Sequence, residues 1–363
     1  MNKRNLIFDN LRGISMLGVI GIHIGSMGME YANCSPFWFL IFSVLSRYSV
    51  PCFFFISGFG LFLTHPLEQS LNYGRFVAKR LRSIGIPYLI WTFFYMYINN
   101  RTYYDANVWS WDNISFCVMF GNGSYHIYFL VILLWFYLLF PLWRRLMTCL
   151  EKFDLKLTLP LLALAQLYFY DASAHYWSYP AWIQDNEFIF NLFQFRLNYL
   201  PLYYLFIFML GGVIARHYAG FEHLLKRHFL LLLTCFLLSA GINTYLFYDM
   251  YANLKVNPEV IANTLQQLSL PGFFYTVTTL LFCCGVLYRF KDKRLGWLEK
   301  FSDHSFVIYL IHPLFMDQLY FGLMLIGISF TQIPIYIFYL VVLACSYGCA
   351  AIWSTTKKSL INK

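Results

Sequence analysis

The chain has 363 residues, of which 60% are hydrophobic and 21% aromatic, while only 12% are charged. A soluble domain carries about a quarter charged residues, so this composition excludes a soluble globular protein as well as a disordered one. The formal charge is +9, from 26 Lys and Arg against 17 Asp and Glu, and its distribution along the chain reads as a membrane-topology signal rather than a nucleic-acid surface.

A spanning helix needs roughly 20 mainly apolar residues. In chain order the apolar runs predict about ten such helices, at 6–27, 37–63, 84–98, 125–143, 155–170, 199–214, 229–248, 268–288, 305–327 and 333–352. The expected fold is therefore all-α: a polytopic membrane helix bundle forming one domain over 1–363, with no soluble domain. With the N-terminus placed in the cytoplasm, 21 of the 26 Lys and Arg fall in cytoplasmic segments and three (Arg101, Arg196, Lys255) in outer loops, while Arg12 and Arg47 lie within spans. This bias predicts cytoplasmic termini and an even number of crossings. The first run is interrupted by Asp9 and Arg12 and lacks a small-residue cleavage site, so it reads as a retained helix and not a signal peptide. The nine cysteines contain no CxxC pair and no Cys/His cluster at zinc spacing, and most sit in apolar runs. Neither a disulfide framework nor a metal is expected.

The first helix carries ionisable residues, which cost about 2.5–3.5 kcal/mol each for Arg or Asp at mid-span and so suggest function. It reads Asp9-Asn10-Leu11-Arg12-Gly13, followed by His23. Arg12 and His23 are separated by three turns plus about 20°, or roughly 16 Å of rise, and so share a face at different depths. Asp9 lies within side-chain reach of Arg12. Each has a bland explanation as well: Arg12 as an arginine reaching the interface, His23 as a core histidine.

Later segments add further polar features. Phe53–Phe59 contains Ser57-Gly58, a hydroxyl beside a site of close backbone approach. Lys79, Arg80 and Arg82 precede Pro87-Tyr88 at a helix start, an arrangement suited to phosphate. His126-Ile127-Tyr128-Phe129-Leu130 opens the fourth span, where His126 also fits an interfacial aromatic belt. Ile308–Leu314 places His312 beside a helix-kinking Pro313. Arg47, at mid-span, calls for a carboxylate or bound anion, and Asp317 is the only deeply placed acid besides Asp9.

In these pieces the chain resembles the acyltransferase-3 family of integral membrane O-acyltransferases. The matches are Asp9-x-x-Arg12-Gly13, the Arg12–His23 spacing, Phe-Phe-x-x-Ser-Gly-Phe at Phe53–Phe59, the basic run closing with Pro87-Tyr88, His126-x-Tyr-Phe-Leu, and Ile308-Tyr-Leu-Ile-His-Pro-Leu. They run in the family's order over nearly the whole chain. Where the family usually has Arg-x-x-Arg, this chain has Lys79-x-x-Arg82, and lysine lacks the bidentate fork. The resemblance implies transfer of an acyl group, usually acetyl, from cytoplasmic acetyl-CoA or another acyl-CoA. The acceptor would be a hydroxyl of an extracytoplasmic, cell-envelope glycan, at a bacterial inner membrane.

On this reading His23 is a general base or carries the acyl group itself, Arg12 guides the donor, and Asp9 fixes Arg12. Ser57, Lys79, Arg80 and Arg82 hold the donor, and Arg47, His126 and His312 are candidates for acceptor binding. No metal is required. The alternative from the same features is a transporter or flippase for a glycan intermediate.

Overall fold

The computed structural model describes residues 5–31, 33–103, 107–176 and 181–361. Helix accounts for 84% of the described residues, with no strand among them. Among the described residues, six helices are long and apolar enough to cross a membrane: Leu6–Glu30, Pro36–Thr64, Phe229–Asn253, Leu270–Arg289, Gly296–Leu325 and Ile335–Thr356. Two sharply bent pairs bring the number to eight if each pair is one span. Tyr128–Leu138 with Phe140–Glu151 bends by 65°, and Pro201–Arg216 with Tyr218–Arg227 by 97°.

The predicted count of ten is thus not reached by length and composition. The helix Ile86–Tyr103 ends in Asn99, Asn100 and Arg101, too polar for hydrocarbon. Leu155–Asp171 has 17 residues and rises about 25 Å, short of a hydrocarbon core of about 30 Å. In the first bent pair, Pro141 sits in the opening turn of the second half, where a missing N–H costs little.

The chain divides into two compact units, one of Met1–Ser57 with His217–Lys363 and the other of Gly58–Arg216. In the first unit, helix Leu6–Glu30 starts at Asn5, whose side chain accepts a hydrogen bond from the Ile7 N–H at 3.1 Å. It is the interior helix: 67% of its apolar window is buried, against 17% for Phe229–Asn253. Its most extensive partner is Gly296–Leu325, which also packs on Ile335–Ile361. Gly13 makes this packing possible, since a Cβ there would lie 2.7 Å from the Leu298 carbonyl oxygen. A second cluster joins Phe39, Leu40 and Val44 to Phe247, Ile261 and Leu265.

The span Pro36–Thr64 changes winding on its way through the unit. A π segment, Leu40–Val44, is followed by a 3₁₀ segment, Leu45–Tyr48, and then by the α-helix Ser49–Thr64. Such changes release backbone carbonyls that must find other donors in a lipid-facing protein. The Ser46 hydroxyl donates to the Ile41 carbonyl at 2.9 Å and Arg47 Nε to the Ser43 carbonyl at 2.6 Å.

In the second unit, Phe136 and Phe208 stack with ring centroids 4.3 Å apart, and Phe62 meets Phe140 edge-on at 5.3 Å. The backbone at Phe208 closes directly on Gly58, where any side chain would collide with it. Arg216 ties the polar end together, reaching Glu151 at 2.5 Å and Glu68 at 3.0 Å. The hydrogen bond from Arg216 holds the Glu68 carboxyl below its ordinary pKa.

Candidate active site

Ionisable residues from three segments of the first unit meet at His23. Its ring lies 5.2 Å, centroid to centroid, from that of His312 at an interplanar angle of 36°. Arg47 also lies close enough to act on His23 electrostatically. Three segments remote in sequence therefore supply the cluster: the first helix, the 3₁₀ segment Leu45–Tyr48, and helix Gly296–Leu325.

The local sequence sets the orientation of His312. Pro313 lacks the N–H that would otherwise bond the carbonyl four residues back, which is Tyr309. His312 Nδ1 takes that place at 2.8 Å, with the Ile308 carbonyl a second acceptor at 3.2 Å. Both partners only accept, so Nδ1 carries the proton and Nε2 holds the lone pair. The ring is fully buried. The His-Pro pair thus fixes the ring's orientation, and the packing of its helix on Leu6–Glu30 brings it beside His23.

Arg12 is not in this cluster. It pairs with Asp9 at 3.5 Å, its side chain 36% exposed against 12% for Asp9. Ser57 is half-buried near the end of the first unit's share of its helix. Asp317, the deeply placed acid besides Asp9, has Glu30 as a charged neighbour, and Arg47 Nε bonds the Ser43 carbonyl. The unit also buries hydroxyls that the sequence reading passed over. Ser43, Ser302 and Ser346 are each 3% exposed or less, and their Oγ atoms have no hydrogen-bond partner among the described residues. A polar, non-lipid ligand can satisfy such atoms.

The basic run belongs to the second unit and divides in two. Arg75, Lys79 and Arg82 lie at i, i+4 and i+7 and line one cleft of about 460 Å³ with Ala78 and Ser83. Arg80 turns the other way. Its guanidinium lies over the rings of Phe76 at 5.3 Å and Tyr137 at 4.9 Å, a cation–π arrangement. Arg80 therefore does not share the face of Lys79 and Arg82. Arg75 does, and the helical spacing was the signal that could have found it. Three cations on one exposed face suit the phosphates of a nucleotide-bearing donor.

His126 is buried in the second unit, in the turn before Tyr128–Leu138. Its Nδ1 is 3.1 Å from the Ser124 hydroxyl, and its ring meets Tyr95 edge-on at 5.3 Å. This is a packed histidine, not one standing in an exposed belt.

Comparison with known proteins agrees with the motifs. A family model described as an acyltransferase domain, Acyl_transf_3, matches residues 5–353. A probable poly-β-1,6-N-acetyl-D-glucosamine export protein of Staphylococcus aureus (strain MSSA476) is 23% identical over 286 residues, 75% of this chain and 70% of the relative. A protein of the same name from Staphylococcus epidermidis is 27% identical over 150 residues, 39% of this chain and 38% of the relative. No solved structure matches.

Proposed function

The chain belongs to the acyltransferase-3 family, and from that premise we propose that it moves an acyl group, in the first instance acetyl, from acyl-CoA to a hydroxyl of a cell-envelope glycan. The observation that carries the reading is the His23–His312 pair, held in one tautomer by the Pro313 kink with the Arg47 charge nearby. Acyl transfer to a hydroxyl needs a base for the acceptor proton and positive charge for the oxyanion. In the proposed reaction the acceptor O–H gives its proton to His23, and its oxygen adds to the thioester carbonyl carbon. The tetrahedral intermediate then loses the CoA thiolate, which recovers the proton from the imidazolium. His312 positions His23, and Arg47 places a positive charge toward the developing oxyanion. The Arg75–Lys79–Arg82 face is the candidate for holding the phosphates of the donor. Arg12, with Asp9 beside it, remains a candidate for guiding the donor, and Ser57 for contacting it.

The glycan acceptor is inferred from the staphylococcal relatives, whose names concern a bacterial hexosamine polymer. The same names favour a second reading, export of such a polymer without acyl chemistry. Turnover separates the two. Purified wild-type protein in liposomes, given acyl-CoA and acceptor, should release CoA, and His23→Asn should slow this by about 10²–10⁴-fold, the usual loss for a positioned base. An acyl-histidine trapped without acceptor would assign His23 as acyl carrier. Wild-type protein without CoA release, or full turnover by His23→Asn, overturns the proposed site.

A further inference from the structure

We propose that the cleft between the short helices Trp111–Phe120 and Glu187–Gln194 is a binding site for a non-acidic glycan, the acceptor of the reaction inferred above. The cleft measures about 610 Å³, within the range of roughly 300–1,000 Å³ common for ligand pockets. Its two walls are polar. Asp112 and Ser115 stand on one helix, and Glu187, Asn191 and Gln194, at i, i+4 and i+7, on the other. Its aromatic side is built from Phe116, Phe120 and Phe195, with Phe116 edge-on to Phe195 at 4.9 Å and Phe120 5.5 Å from Phe195.

The frame is fixed before any ligand arrives. Ser110 caps the first helix by accepting from the Asn113 N–H, and Asn113 Nδ2 donates to the Val108 carbonyl at 2.8 Å. Gly121, at φ +69°, ends that helix in a left-handed cap. Asn198, on the turn that follows the second helix, donates through Nδ2 to the Phe120 carbonyl at 3.3 Å and to Asn122 Oδ1 at 3.0 Å, holding the end of the first helix.

The chemistry selects among ligands. Carboxylates and carboxamides arranged around aromatic rings match a pyranose, which presents hydroxyls at its edge and C–H groups on its faces. Two carboxylates and no cation line the cleft, so a polyanionic sugar is disfavoured. The arginine next to the second wall does not compensate. Arg196 Nε donates to the Ser173 and Tyr203 hydroxyls, NH1 to the Phe193 carbonyl and NH2 to the Ser173 carbonyl. With Ile86–Tyr103 and Leu155–Asp171 counted as crossings, as the ten-span reading of the Lys and Arg distribution has them, the cleft faces the extracytoplasmic side, where an envelope glycan would be met.

The inference rests on the acyltransferase reading for the ligand's role, and binding without donor tests it separately. The full chain in nanodiscs would be titrated with three tetrasaccharides: β-1,6-linked N-acetylglucosamine, its free-amine form, and an N-acetylglucosamine–glucuronate tetramer. The first two should bind and the acidic one should not. Asp112→Asn with Glu187→Gln should weaken the free-amine ligand by roughly five- to tenfold, the effect of two exposed ion pairs, and leave the N-acetyl form nearly unchanged. Asn191→Ala with Phe188→Ala, the latter an exposed ring of the second helix that also lines the cleft, should weaken both by at least about fivefold. All variants should melt and elute from size exclusion as the wild type does, which shows that they are folded. Equal binding of the acidic tetramer, or unchanged affinities in both double variants, overturns the cleft assignment while leaving the acyltransferase reading standing. Glycan binding that responds to these variants, in a protein that never turns over acyl-CoA, overturns the acyltransferase reading and leaves a glycan-binding cleft.

Discussion

At the scale of single residues, the informative pair is His312-Pro313. An interior proline costs a helix about 3 kcal/mol or more, and here the carbonyl it releases holds a histidine ring in one orientation. Pro313→Ala restores a backbone N–H at position 313 that competes for the Tyr309 carbonyl. The variant should melt at a higher temperature yet turn over roughly ten- to a hundredfold more slowly, as for other small misplacements of a reacting group. Unchanged turnover in the stabilised variant would reduce the kink to a structural feature. The residues of this device were legible in the sequence, because histidine next to proline inside an apolar run is conspicuous. Its partner was not. His23 and His312 are brought together by the packing of Leu6–Glu30 on Gly296–Leu325, and no spacing along the chain encodes that meeting.

At the scale of elements, helical periodicity separates residues that adjacency had grouped. Lys79, Arg80 and Arg82 read as one cationic run, but successive helical residues point about 100° apart, so Arg80 turns toward Phe76 and Tyr137 while Arg75 joins the exposed face. Two different outcomes are expected. Replacing Arg75, Lys79 and Arg82 together by glutamine should raise the KM for acyl-CoA, and the difference from wild type should shrink in high salt as screening removes the attraction. Arg80→Gln should leave KM alone and lower stability by about 1 kcal/mol, the loss of a cation–π contact. A KM effect in Arg80→Gln alone would return the donor to the adjacent run. Glycines show the same dependence on context. The Gly13 and Gly58 of the family motifs are explained by the Leu298 carbonyl and the Phe208 backbone, neighbours that only the fold supplies.

At the scale of the whole molecule, hydropathy read the long helices well and the broken ones poorly. The six long spans each overlap a stretch the apolar pattern marked, since about 20 apolar residues in one helix leave few alternatives. The shortfall from ten lies where a helix is too short, too polar at its end, or bent by 65° or 97°, because a window average does not register a bend. Six, eight or ten crossings are all even, so each is compatible with two cytoplasmic termini. The charge bias then makes a sharper prediction than the count does. Ser115 lies in the region read as extracytoplasmic and Asp292 in the Lys291–Arg294 cluster read as cytoplasmic, and both residues are exposed. The nine native cysteines are unpaired, so replacing them breaks no disulfide, and single cysteines can be introduced by Ser115→Cys and Asp292→Cys. In intact cells a membrane-impermeant maleimide should label the first and spare the second until the membrane is opened. Labelling of both sites from outside, or of Asp292→Cys alone, would reverse or abolish the assigned sidedness and with it the extracytoplasmic position of the glycan cleft. Protection of Ser115→Cys combined with labelling after permeabilisation would move that cleft to the cytoplasmic face, where an envelope glycan could be met only before its export.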